Sequence, residues 1–261
     1  MPSELLTERI GPVLVLTISD PATRNTLSAQ VISAGIESLG VAESDPAVRV
    51  VVLRGAGDHF CAGGNVSGLI ERRAAGRDTQ RQMIDRLHQL VEAIRVFPKP
   101  VIAAVEGAAA GAGFGLALAA DMIVASREAR FMLSYAKLGL SPDAGTSWHL
   151  LQSLPRALVQ QLVWLADPVP VATLHAMGLV NAVAEPGSAL TDSMAIAERL
   201  CAMAPNALAS AKELVNQAPG RTLNQQLACE REHFIDNLFH PNGDEGLRAF
   251  IAKRPPEFSS P

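Results

Sequence analysis

Short runs of β-branched and aliphatic residues predict a series of buried strands in the first half of the chain. The runs at Val13–Ser19, 48–55 and 100–107 are apolar at almost every position. Continuous hydrophobicity of this kind is typical of strands that are covered on both faces. The runs at 121–126 and 130–134 predict two further, shorter strands.

Apolar residues with a period near 3.6 predict helices between and after these strands. One helix is predicted over 27–44 with Ser28 as its N-cap, another over 78–97, and a glycine-rich third ends near Ala119. From residue 143 onward the predicted helices are 144–154, 158–165, 189–203, 205–217 and 222–239, with one short strand at 179–185. The alternation in the first half indicates parallel βαβ units in an α/β core.

The stretch 66–81 is mostly polar. It contains glycine and alanine among its charged residues. We expect it to be a mobile segment over a substrate.

Composition and charge exclude several classes of protein. The 261 residues are 48% hydrophobic and 18% charged, which is enough apolar surface for a sizeable core. The net charge of −4 argues against a general nucleic-acid binder. Cys61, Cys201 and Cys229 match no zinc-binding spacing and are expected to be free thiols in a reducing compartment. The absence of a secretory pattern and of a long apolar run predicts a cytoplasmic protein with no membrane partner.

Two glycine-rich turns follow predicted buried strands. The first spans 57–68 (GDHFCAGGNVSG) and the second spans 106–121 (EGAAAGAGFGLALAAD). Three interpretations compete for the second turn: tight helix–strand packing, a dinucleotide fingerprint, or one arm of an oxyanion hole. The fingerprint fits poorly, because the residue three positions after Gly113 is Leu116 instead of glycine or alanine. An oxyanion hole requires the first turn as a partner.

The stretch YAKLGLSPDAG (135–145) carries one carboxylate, Asp143, directly after Pro142. A Ser-Pro-Asp sequence before an apolar helix fits an N-cap, from Ser141 or from Asp143 itself. The same carboxylate also fits a catalytic acid/base aimed into a pocket. The residues alone leave both interpretations open.

Five segments together resemble the signature regions of the crotonase family, which is the enoyl-CoA hydratase/isomerase family. They are FCAGGN (60–65), PKPVIAAVEGAAAGAGFGLALAADMIVAS (98–126), FMLSYAKLGLSPDAG (131–145), PATRNTLS (21–28) and AFIAKRPPEF (249–258). The resemblance covers nearly the whole chain in the family's order. It implies an α/β fold, a crotonase-type spiral of ββα units over residues 1–200, followed by a C-terminal helical trimerisation region over 201–261.

The resemblance also implies a substrate class and a site. The substrate would be an acyl-CoA thioester, and no cofactor or metal would be needed. The backbone N–H groups of Gly64 and Ala112 would form the oxyanion hole, and Asp143 would be the catalytic residue. Further residues fall where the family contacts the substrate or coenzyme A: Arg24, Ala62, Asn65, Val66, Gly111, Tyr135, Pro142, Phe250 and Lys253. The partners implied are the acyl-CoA and further copies of the chain, as a homotrimer or a dimer of trimers.

The sequence departs from the family's hydratases at both catalytic glutamates, whose places are taken by Gly115 and Tyr135. Asp143 instead resembles the carboxylate of the family's single-base isomerases, and the stretch is most similar to the phenylacetate-pathway type. Double-bond isomerisation is therefore the main hypothesis, and hydration of a 2-enoyl-CoA is the alternative. His88 together with Asp143 keeps a CoA-ester dehalogenase open as a minor option. A catalytically silent CoA-ester binder is the alternative of another class.

Overall fold

The computed structural model describes residues 3–258. Its strands are β1 Glu4–Ile10, β2 Val13–Ser19, β3 Val50–Gly55, β4 Val101–Val105, β5 Ala108–Ala110, β6 Met122–Ser126, β7 Arg130–Met132 and β8 Ala182–Ala184. Its helices are α1 Ala29–Ser44, α2 Val66–Ala75, α3 Arg77–Val96, α4 Ala112–Ala119, α5 Thr146–Ser153, α6 Arg156–Leu165, α7 Val171–Ala176, α8 Ala189–Cys201, α9 Pro205–Gln217, α10 Leu223–Phe239 and α11 Pro241–Ala252.

The main sheet has six strands in the order β1-β2-β3-β4-β6-β8. Only the β1–β2 pair among them is antiparallel, and the other neighbours are parallel. Strands β5 and β7 form a separate parallel pair. The predicted α/β class with a parallel core is confirmed, and β4-β5-α4 is one of the expected strand–strand–helix units.

Both faces of the main sheet are covered, as the continuous apolar runs predict. Val51 and Leu53 of β3 belong to the larger core, which they share with residues of α1, α3 and α4. Val50 and Val52 belong to a second core on the opposite face, where α8 packs across the sheet. Because each face of β3 has its own core, its first four positions are all apolar.

Three elements of the N-terminal half were not predicted: β1, β5 and α2. Strand β1 lies at the sheet edge with almost all of its side chains exposed. The segment 66–81 is helical, because α2 occupies Val66–Ala75 and α3 begins at Arg77, and its mobility remains a prediction. Helix α2 has an ordinary polar cap, because the Asn65 side chain accepts a hydrogen bond from the Gly68 N–H at 3.1 Å.

The C-terminal helices pack largely on one another. Helix α10 contacts α9 and α11, and α9 is joined to the core by Lys212, whose ammonium lies 2.8 Å from the Asp121 carboxylate. Helix α11 was not predicted, although it starts at a proline, a residue suited to the first turn of a helix. The division at residue 200 remains a prediction. Among residues 3–258 no helix is long and apolar enough to cross a membrane.

Candidate active site

The two glycine-rich turns are joined by backbone hydrogen bonds. The Cys61 N–H donates to the Ala108 carbonyl oxygen, and the Ala110 N–H donates to the Cys61 carbonyl oxygen, both at 2.9 Å. A Cβ atom built on Gly63 would lie 2.5 Å from the Ala110 carbonyl oxygen and 3.1 Å from the Ala112 nitrogen. Only glycine permits this approach. The turns therefore form one rigid unit.

Two backbone donors on this unit are unused. Within the described part of the chain, the N–H groups of Gly64 and Ala112 have no hydrogen-bond acceptor. Ala112 is also the first residue of α4, where the helix dipole contributes a partial positive charge. Two such donors on touching turns can stabilise negative charge on one oxygen atom.

Asp143 holds the start of α5 with its backbone and not with its carboxylate. Its carbonyl oxygen accepts hydrogen bonds from the Thr146 N–H at 3.1 Å and from the Thr146 hydroxyl at 2.9 Å. The residue at the N-cap position of α5 is Gly145, and no side chain caps that helix. The capping interpretation, for Ser141 as for Asp143, is wrong. The carboxylate is left for another role.

Tyr135 connects that carboxylate to the second turn. Its hydroxyl donates a hydrogen bond of 2.5 Å to Oδ1 of Asp143. A Cβ atom on Gly111, the residue before Ala112, would lie 3.5 Å from the same hydroxyl oxygen. Burial raises the pKa of Tyr135 well above its usual range, and the negative charge of Asp143 raises it further. The phenol is thus a neutral donor, bonded to the carboxylate and close to Gly111 of the second turn.

Gly115 stands where the family's hydratases carry their first catalytic glutamate, and Ala144 fills the space beside it. A Cβ atom on Gly115 would lie 2.5 Å from the Cβ of Ala144 and 2.8 Å from its carbonyl oxygen. Ala144 is fully buried and has a left-handed φ of 51°, followed by Gly145 at 69°. A left-handed conformation costs an alanine about 1–2 kcal/mol, so the surrounding packing must hold it. No side chain fits at Gly115 without moving this turn.

The other predicted substrate contacts stand in three places. Arg24 is exposed and lines a cavity of about 690 Å³. Its carbonyl oxygen accepts a hydrogen bond of 2.9 Å from the Ala62 N–H. Asn65 and Val66 lie where the first turn enters α2. Phe250 and Lys253 lie on α11 and at its end, and both are exposed. For these residues, as for Pro142, the substrate role remains a prediction.

His88 is the histidine on which the dehalogenase option depends. It is exposed on α3, and no hydrogen bond or ion pair involves its side chain in residues 3–258. Its role in that option remains a prediction.

His149 is the histidine that the sequence did not reveal. It lies on α5, and a Cβ atom on Gly145 would be 3.2 Å from its ring. Burial, and secondarily the positive charge of Arg95, lowers the pKa of His149 to about 4. The imidazole is neutral at neutral pH.

We expect His149 to make the folded state less stable in acid. Its pKa of about 4 in the folded state is below the value of about 6.5 for a free histidine, so the unfolded chain binds more protons between these values. The free energy of unfolding therefore falls as the pH drops through this window. The fall should be smaller in His149→Gln, measured by urea unfolding at several pH values, and unchanged in the exposed control His88→Gln. An equal fall in His149→Gln and wild type would contradict this assignment.

Cys61 is a structural residue within the first turn. Its side chain is fully buried, and its sulfur accepts a hydrogen bond from the Gly63 N–H at 3.4 Å. Burial raises the pKa of the Cys61 thiol to about 12. A thiol held neutral in this way is a poor nucleophile.

No group of three or more histidine, cysteine, aspartate or glutamate side chains in residues 3–258 is arranged to hold a metal ion.

Comparison with known proteins identifies relatives along the whole chain. The family model described as enoyl-CoA hydratase/isomerase matches residues 8–261. The 2,3-dehydroadipyl-CoA hydratase of Escherichia coli strain K12 is 33% identical over 258 residues, 98% of this chain and 98% of that protein. The 1,2-epoxyphenylacetyl-CoA isomerase of the same strain is 32% identical over 250 residues, 95% of each chain.

A solved structure is more similar still. The crystal structure of an enoyl-CoA hydratase from Polaromonas sp. JS666 is 51% identical and superposes with a TM-score of 0.96, covering 98% of this chain and 99% of that one. The predicted crotonase-type fold is confirmed by this match. The names of these relatives include hydratases and an isomerase, so they do not separate the two activities.

Proposed function

Since the chain belongs to the enoyl-CoA hydratase/isomerase family, whose members act on CoA thioesters, we propose that it moves a double bond along the acyl chain of such a thioester with Asp143 as its single acid/base. The observation that carries the proposal is the placement of Asp143. Its carboxylate is free of helix capping and is linked through Tyr135 to the turn that presents Ala112.

The reaction is a proton shift between two carbons. Asp143 takes a proton from C2 of a 3-enoyl-CoA, and the C–H electron pair moves toward the thioester oxygen. The N–H groups of Gly64 and Ala112 stabilise the negative charge on that oxygen. Asp143 then returns the proton to C4, which leaves the double bond between C2 and C3. One carboxylate is enough, because it acts as base and then as acid.

The filled space at Gly115 supports isomerisation over two-carboxylate hydration. Any side chain there would meet Ala144 at 2.5 Å, so a glutamate could not be accommodated without displacing the turn that carries Asp143. Tyr135, at the place of the second glutamate, has a pKa raised above its usual range and holds its proton. Neither position offers a group that would take a proton from water.

Hydration of a 2-enoyl-CoA is the second candidate. It is favoured by the name of the Polaromonas relative, an enoyl-CoA hydratase at 51% identity. In this alternative Asp143 would position and deprotonate the water alone.

We further propose that the chain self-associates as a homotrimer through its C-terminal helices. Large apolar side chains on α10 and α11 are left exposed in the single chain, including Phe234 at 68%, Phe239 at 83% and Phe250 at 84%. Exposed apolar surface of this kind marks contact with another protein. In such an assembly Phe250 and Lys253 would complete the coenzyme A site of the same or a neighbouring copy.

Incubation with a 2-enoyl-CoA in deuterated water separates the two candidates. An isomerase exchanges the C4 hydrogens for deuterium through the reverse reaction and adds no water to the thioester. Mass spectrometry should therefore show deuterated 2-enoyl-CoA without a 3-hydroxyacyl product. A 3-hydroxyacyl-CoA that forms without deuterium at C4 would make hydration the activity.

A further inference from the structure

The Tyr135 hydroxyl occupies a defined place between the Asp143 carboxylate and the second turn. It donates to Oδ1 of Asp143 at 2.5 Å, while a Cβ atom on Gly111 would lie 3.5 Å from it. Oδ2 of Asp143 accepts no hydrogen bond within residues 3–258. The two carboxylate oxygens are therefore inequivalent.

We propose that Tyr135 is a positioning residue, whose hydroxyl fixes Oδ1 of Asp143 so that Oδ2 alone takes the proton from C2 and returns it to C4. This inference rests on the proposed isomerisation. A carboxylate held by one hydrogen bond keeps a single orientation between the two proton transfers. Rotation about its side-chain torsions would otherwise move the proton away from C4.

The hydroxyl is suited to this task because it does not lose its own proton. Burial, and then the charge of Asp143, raises the pKa of Tyr135 above its usual range. It thus remains a hydrogen-bond donor at neutral pH. Packing alone would not require the hydroxyl, since a phenylalanine would fill the same space beside Gly111.

Tyr135→Phe tests the inference with the ring retained. A hydrogen bond to a charged group contributes about 1.5–3 kcal/mol, so kcat should fall by about ten- to a hundred-fold while KM for the 3-enoyl-CoA changes little. In the background of Asp143→Asn the same substitution should cost nothing further, because Tyr135 acts through Asp143.

The outcomes separate this inference from the proposed function. If wild type turns over 3-enoyl-CoA and Tyr135→Phe has the same kcat, the inference is overturned and the proposed isomerase activity stands. A wild type inert toward 3-enoyl-CoA overturns the proposed function, and the inference with it. If Tyr135→Phe raised KM and left kcat unchanged, Tyr135 would be assigned to substrate binding, and the positioning role would also be overturned.

A second measurement needs neither turnover nor the Tyr135→Phe variant. Tyr135 is the single tyrosine of the chain, so tyrosine labelled with ¹³C at Cζ gives one resonance that needs no assignment. In wild type the phenol should titrate well above the free value of about 10. In Asp143→Asn the titration should move to lower pH, because the negative charge that disfavours phenolate is gone. Identical titrations in the two proteins would overturn the contact and the inference.

Discussion

Asp143→Asn is expected to lower kcat for the acyl-CoA substrate by about 10²–10⁴-fold, the contribution typical of general acid/base catalysis. The amide has nearly the same shape as the carboxylate but cannot accept the proton from C2. The turn should survive, because Thr146 is held by the carbonyl oxygen of residue 143 and not by its side chain. Binding of the CoA thioester should therefore be largely kept.

Single-turnover kinetics and isothermal titration with an unreactive acyl-CoA measure the two effects separately. The matched control is Asp85→Asn, an exposed aspartate on α3 that makes the same change in charge and should leave kcat unaltered. Full activity in Asp143→Asn would remove Asp143 from the mechanism. Loss of binding together with activity would instead indicate that the substitution had disturbed the turn.

Gly63→Ala should be nearly as damaging, although it removes no functional group. The added methyl group would lie 2.5 Å from the Ala110 carbonyl oxygen and 3.1 Å from the Ala112 nitrogen, on a backbone with φ of 86°. The two turns must separate to admit it, which moves Gly64 and Ala112 apart. Losing one donor of an oxyanion hole costs about 10²–10³-fold in kcat, and a comparable loss is expected here.

Gly57→Ala is the matched control, because it places the same methyl group at a positive φ of 66° in the same turn with no atom within 4 Å. It should carry the backbone strain without the collision and should keep its activity. Thermal unfolding of both variants, beside their kcat values, separates lost stability from lost alignment. Equal kcat in Gly63→Ala and wild type would contradict the role of the paired turns.

In the first half of the chain, the long buried strands were predicted. Strands β3 and β4 have cores on both faces, and their continuous apolar runs indicate this burial. Strand β1 and helix α2 were missed because β1 is largely exposed and α2 buries no residue completely, so neither shows a clear hydrophobic pattern. Helix α7 was missed although Val171 and Leu174 are buried, because its six residues are too few to show a helical period.

The candidate site was only partly visible, because its geometry depends on unusual backbone. A Ser-Pro-Asp sequence fits a helix cap as well as it fits a catalytic acid. The left-handed conformations of Ala144 and Gly145 exclude the cap, since they put the Asp143 backbone where a cap would be and leave its side chain uninvolved in capping. Alanine carries no signal for that conformation. The contact of Tyr135 with Asp143 depends on the same turn.

The most direct test of the account is the ultraviolet absorbance of wild-type protein mixed with a 3-enoyl-CoA. Movement of the double bond between C2 and C3 conjugates it with the thioester carbonyl and raises the absorbance. The account predicts a steady rise with wild type and almost none with Asp143→Asn. No rise with wild type, together with water addition to a 2-enoyl-CoA by the same preparation, would contradict it.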